Sequence, residues 1–299
     1  TVLNQMLALA VLVIAGIWLY QKKFLDDHST TKISAMITHL FNPMLMVSSA
    51  MDSIGKVDKK SWFTVLFIVF VIFIILILLS FPAIRFFEKE PGKKELFQLT
   101  LIFGNLGFMG IPVVSGVYGE AYAVYVLAFI IGFNFFFYPF GLTLLDRKFN
   151  LKALKGMLNP GTLACFLAIF LLLIEPSLPV FVTSPIKWLG NLCSPLAMLI
   201  LGQSVARSDL KKIFTSPGLY LFTAYRMILL PLLAIPILKL LPLDEIVRGV
   251  CLIEISMPVA NLVLTTGLEK KIDCDQVSAA IIMTTILSVF TLPVIVSLL

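Results

Sequence analysis

The stretch that most constrains this chain is Gly104-Asn105-Leu106-Gly107-Phe108-Met109-Gly110-Ile111-Pro112. It interrupts an apolar run with glycines, a proline and an amide. Proline removes a backbone donor and clashes with the preceding turn, and glycine adds backbone freedom. In hydrocarbon every freed N–H and C=O has to find a new partner. Such a break survives in a membrane only where protein or a wet cavity surrounds it. A second interruption, Glu254-Ile255-Ser256-Met257-Pro258-Val259-Ala260-Asn261, stands at the matching place in the second half. Paired Gly/Pro interruptions in corresponding halves point to a transporter's substrate site.

The apolar setting is general. Of 299 residues, 59% are hydrophobic and 13% charged, far less charge than the roughly 25% of soluble domains. The fold class expected is an all-α integral membrane protein. Its length suits about ten transmembrane helices of roughly 20 residues. Apolar runs place these spans at about 3–20, 33–52, 62–84, 96–116, 120–145, 160–175, 186–206, 217–240, 246–267 and 275–298. Residues 1–20 lack a basic leader region and a cleavage site, so they read as the first span.

The loops set the orientation. Counting Lys and Arg in alternate loops gives 16 on the side reached after the first span and 6 on the other. Positive residues stay in the cytoplasm, so both termini are expected outside the cell membrane. The net charge of +6 is thereby explained without a nucleic-acid partner. The four cysteines, Cys165, Cys193, Cys251 and Cys274, have no metal-ligand spacing and read as buried small side chains. No metal site or cofactor is expected. Without a phosphate-binding GxxxxGK[ST] motif, an ATP-driven pump is not expected. Without a buried Asp pair or a GxSxG motif, an intramembrane enzyme is not expected either.

The halves echo each other. Pro43 and Pro195 are 152 residues apart, and Pro112 and Pro258 are 146 apart. Residues 1–146 and 147–299 are expected to be two five-helix repeats. Five is odd, so the copies run in opposite directions, an inverted-topology plan used by secondary transporters.

At Asn105-Leu-Gly-Phe-Met-Gly-Ile-Pro112 the chain resembles the auxin efflux carrier family, plant auxin carriers and bacterial organic-acid permeases. The resemblance continues at Asn159-Pro160, Leu196-Ala-Met-Leu-Ile-Leu-Gly202, Tyr225-Arg226-Met227, Met257-Pro258 and Leu292-Pro293. The long hydrophilic central loop of many plant members is absent. The resemblance implies a fold like bile-acid symporters and sodium/proton antiporters. Spans 1, 2, 6 and 7 would form a scaffold, often a homodimer. Spans 3–5 and 8–10 would form a transport domain that moves as an elevator, with broken helices 4 and 9 crossing. A small carboxylate such as malate is the implied substrate. Auxin-like aromatic acids, or a channel or sensor built on the same fold, are the alternatives.

Broken helices offer free N–H groups and positive dipole ends to a carboxylate. The candidate substrate-binding residues are therefore Asn105, Gly107, Gly110, Pro112, Asn159, Pro258 and Asn261. For Asn105 the competing role is a cap on its own helix. Glu254 lies deep in the ninth span, where an ionisable group is costly. Arg226 falls at a similar depth in the eighth. The two are expected either to form a fixed ion pair or to couple transport to sodium or protons. Trp18, Trp62 and Trp188 read as interfacial anchors, and Asn134 and Gln203 as helix-bonding or site-facing.

Overall fold

The computed structural model describes residues 2–148, 156 and 158–299, apart from the side chain of Lys212. Lys152 and Lys155, counted in the loop charge, lie outside the described residues. The described residues are helical, with one isolated antiparallel bridge.

In chain order the helices are α1 (Val2–Gln21), α2 (Asp27–Met36), α3 (Asn42–Ser53), α4 (Lys59–Phe87), α5 (Lys93–Ile102) and α6 (Ile111–Tyr118). Then come α7 (Val124–Phe136), α8 (Leu142–Asp146), α9 (Pro160–Ile174), α10 (Val180–Asn191), α11 (Cys193–Arg207) and α12 (Leu210–Phe214). The last are α13 (Pro217–Ala224), α14 (Leu230–Leu240), α15 (Glu245–Ile255), α16 (Asn261–Glu269) and α17 (Asp275–Val296).

Six continuous stretches among the described residues are long and apolar enough to cross a membrane: Val2–Gln21, Lys59–Phe87, Glu120–Asp146, Val180–Arg207, Pro217–Leu240 and Asp275–Val296. The other expected spans fall short for identifiable reasons. The α2 segment DHSTTKISAM is polar. Helix α9 has 15 residues, about 22 Å at 1.5 Å per residue. The α5–α6 and α15–α16 stretches are interrupted. Large apolar side chains point outward along these helices, as at Phe67 (71% exposed) and Phe166 (59%). Water would not tolerate that surface, and lipid does.

Several long stretches contain a widened π turn: Ile37–Phe41, Leu106–Gly110, Phe137–Gly141 and Tyr225–Leu229. In three of them a proline follows two residues later, at Pro43, Pro112 and Pro231. The residue before that proline reaches back five positions: Asn42 N–H donates to Ile37 O, Ile111 to Leu106 O and Leu230 to Tyr225 O. Proline presses on the carbonyl four residues back and cannot bond it, and widening the turn relieves both faults.

Close approach depends on small residues. A Cβ on Gly16 would overlap the Leu199 backbone, and one on Gly202 would overlap that of Val13. Helices α1 and α11 therefore cross at backbone contact, the small-residue packing of membrane helices. Helix α3 packs extensively on α9 and α10, and α4 on α7. Trp62 does not present its ring to the surface. It is buried, and its Nε1–H donates to Val124 O at 3.0 Å. Trp18 and Trp188 are exposed.

Candidate functional site

The two sequence interruptions meet. Helix α5 ends at Ile102 and α15 at Ile255, and the chain is extended at Phe103 after the first and at Ala260, beyond a turn at Ser256, after the second. Gly104 and Val259 form the antiparallel bridge. Asn105 N–H donates to Pro258 O at 2.7 Å, and Ala260 N–H to Phe103 O at 3.1 Å. Val259 N–H donates to Thr284 Oγ1 of α17 at 3.2 Å. The groups freed by the breaks thus find partners largely in each other, which a buried backbone requires. Phe103 anchors the place, with ring centroids 4.9 Å from Phe133 and 5.0 Å from Phe137.

Beside this bridge lies a cavity of about 460 Å³. The helical segments that restart at Leu106 and at Asn261 both open onto it, for Leu106, Gly107, Phe108, Asn261 and Leu262 line it. The first N–H groups of a helix have no intrahelical acceptor and carry the positive dipole end. Two such ends therefore face one space. The amides of Asn105 and Asn261 line it too. Asn105 is 7% exposed and makes no cap bond to its own helix, nor does any side chain cap α16. Among the described residues both amides remain uncommitted.

Asn159 lines the cavity but is engaged elsewhere. Its Oδ1 accepts from Thr162 N–H at 2.9 Å, capping α9. Its Nδ2 donates to Tyr138 Oη at 3.0 Å and to Gly156 O at 3.1 Å. Gly107 stands in the wall, and a Cβ there would meet Asn42 Oδ1 at an ordinary 3.5 Å. Gly110, Pro112 and Pro258 do not line the cavity. Gly110 is instead the seat of Glu254, whose carboxylate a Cβ there would overlap. Pro112 belongs to the widened turn, and Pro258 supplies the carbonyl of the crossing.

The expected ion pair between Glu254 and Arg226 is not formed. Both side chains are buried, each 1% exposed. Arg226 Nη1 donates to Ile255 O at 2.7 Å, and its Nε has no partner. Neither Glu254 oxygen has a hydrogen-bond partner. The geometry of a helix end explains this. Carbonyls of the last turn point along the axis and lack N–H partners, so they attract a cation. The Glu254 side chain leaves the helix radially, toward Gly110.

Residues beyond the candidate set complete its wall, two of which, Asn134 and Gln203, the sequence reads as helix-bonding or site-facing. Asn42 comes from α3, Thr30 and Ser34 from α2, and Tyr138 from the turn before α8. Gln203 and Arg207 come from α11, and Asp27 Oδ1 accepts from both, at 3.1 and 2.7 Å. Asn134 lines the space as well. Among the described lining residues Arg207 is the one formal charge, and no carboxylate lines the wall. No group of three or more His, Cys, Asp or Glu among the described residues is placed to hold a metal ion.

Comparison with known proteins agrees with this architecture. The sequence profile described as "Membrane transport protein" matches residues 1–152 and again 149–296. An uncharacterized transporter of Methanocaldococcus jannaschii is 26% identical over 211 residues, 65% of each chain. The aligned region thus spans less than two thirds of that relative. An uncharacterized transporter of Methanothermobacter thermautotrophicus is 28% identical over 208 residues, 68% of each chain. With the profile matched along nearly the whole chain, this multi-pass membrane chain belongs to the membrane transport protein family, that of the auxin efflux carriers.

Proposed function

We propose that this transporter carries a small organic anion, a carboxylate such as malate, across the cell membrane by alternating access. The substrate binds in the cavity at the crossing. The observation that carries this reading is the wall itself. Two helix N-termini and the amides of Asn105 and Asn261 face one space that no described carboxylate lines, with Arg207, paired with Asp27, in the same wall. Mostly neutral donors suit a carrier, which has to release what it binds. Phe108, Phe133 and Tyr138 in the same wall favour a second substrate, an auxin-like aromatic acid.

The fold behind this reading is ten spans in two inverted five-helix repeats, with the interrupted fourth and ninth crossing. Ion pairs on one face support a unit that moves as one body. Lys93 bonds Glu90 at 3.0 Å and Asp273 at 2.9 Å, Arg147 bonds Glu95 at 2.8 Å, and Lys270 pairs with Asp146. They join the ends of spans 4, 5, 9 and 10 to one another. The scaffold would be spans 1, 2, 6 and 7, paired as a homodimer, with both termini outside.

Uptake into proteoliposomes tests the function. Radiolabelled malate, acetate, benzoate and indole-3-acetate are offered with and without proton and sodium gradients. A carrier gives saturable uptake of at least one acid. Uptake of none, or flux that never saturates, contradicts it.

A further inference from the structure

Two buried charges flank the crossing without touching the cavity or each other, and they are built differently. Arg226 is fixed. Its Nη1 is held on Ile255 O, and a Cβ on Gly104 would stand 2.8 Å from Nη2. Gly104 itself lines the cavity. The guanidinium thus sits one backbone layer behind the binding wall, at a position only glycine permits. Glu254 is the opposite case. It is closed off beyond Gly110, and neither of its oxygens has a donor. It also lies in the last turn of α15, where the helix dipole repels negative charge. An ionised carboxylate there would be buried and unpaired, a state that proteins avoid.

The elements packed against α15 bring Glu254 no other counter-charge. Tyr118 of α6 lies against Gly249, and Tyr125 stands near the start of α7. Lys239 at the end of α14 donates to Leu298 O at 3.2 Å, and Asp275 opens α17. On α15 itself the neighbour one turn back is Cys251. The π turn Leu106–Gly110 carries no titratable group. Arg226 remains as the charge at the same level.

We infer that Arg226 and Glu254 form a proton-linked counter-charge for the anion site: Arg226 supplies a fixed positive potential through Gly104, and Glu254 takes up one proton with each anion bound. This rests on the organic-anion reading above. With the Glu254 O–H bond formed, the crossing carries one positive charge and attracts an anion. Glu254 is closed off in this arrangement, so the proton leaves only when the crossing rearranges to admit water; Glu254 then cancels Arg226 and the anion is released. No electron transfer is involved, and one anion and one proton cross together. Gly110 packs directly on the carboxylate, so the space suits a proton better than a sodium ion with its oxygen shell.

Two measurements on the purified full-length protein test this. Infrared difference spectra between about pH 5 and pH 9 read the carboxylic-acid C=O stretch without any ligand. A band that titrates in the wild type and vanishes in Glu254→Gln supports the inference. Identical spectra for the two proteins overturn it. Equilibrium binding of malate and of benzoate is the second readout. In the wild type, affinity falls on the order of tenfold as pH rises, the scale of one unit charge close behind the site. Glu254→Gln holds the low-pH affinity throughout, and Arg226→Lys, which keeps the charge, preserves binding better than Arg226→Gln. An unchanged pH dependence in Glu254→Gln overturns the inference. If neither acid binds at any pH, the organic-anion reading fails, and the infrared result still decides whether Glu254 exchanges a proton.

Discussion

At the residue scale, this site is defined by which polar atoms are already spent. Among the described residues Asn105 and Asn261 are free, whereas Asn159 is bound on three sides. We therefore expect Asn159→Ala to act on stability, by about 1 kcal/mol for the lost cap. Its effect on ligand affinity should be small. Thermal melting and equilibrium binding of the same variant separate the two effects. That division was readable in part. Asn-Pro is a helix-start signature, cap followed by first-turn proline, yet Asn159 reads from sequence as a donor to the substrate, and a competing cap is weighed only for Asn105. The fate of Arg226 was not readable. Its depth in the chain put it level with Glu254, but only the azimuth of each helix decides whether an arginine meets a side chain or a helix-end carbonyl. Gly110 gives a further test. Gly110→Ala should cost about 1–3 kcal/mol through overlap with Glu254. A double variant that also carries Glu254→Ala should recover part of it, read as a non-additive coupling in a melting cycle.

At the element scale, the helices are placed by their defects. The interruptions at 103–105 and 256–260 were legible, because glycine, proline and an amide have no other reason to cluster in an apolar run. The widened turns before Pro43, Pro112 and Pro231 follow from proline's missing donor, yet their exact width does not, since a kink would relieve the same clash. Close crossings also escape a linear reading, for a glycine says that something comes near and not what. Gly202 against α1 and Gly141 against Leu99 side-chain atoms at 3.5 Å or more make a matched pair. Gly202→Ala should lower the melting temperature clearly, by the equivalent of roughly 1–3 kcal/mol. Gly141→Ala should change it little. Helix ends add a pH term. Ser61 N–H donates to Asp58 at 2.9 Å and holds its carboxyl below the usual carboxylate range. A lowered folded value means this cap stabilises at neutral pH and fades as acid protonates it, below about pH 4. The melting difference between the wild type and Asp58→Ala should shrink over that window.

At the scale of the whole molecule, composition and the two interruptions together pointed to a membrane carrier, and the family match agrees. What composition could not convey is the cavity wall. Asn42 comes from α3, Tyr138 from the turn before α8, and Gln203 and Arg207 from α11, and only packing brings them to Asn105. The central claim is that an organic anion binds where the two broken stretches cross. Thermal stabilisation of the purified protein by a panel of organic acids tests it most directly, since a ligand for the folded state raises the melting temperature by mass action. We expect at least one carboxylate to stabilise the wild type and to lose that effect in Asn105→Ala, with the unliganded melting temperature little changed. Stabilisation by cations or neutral solutes alone, or an equal response from Asn105→Ala, would contradict the claim.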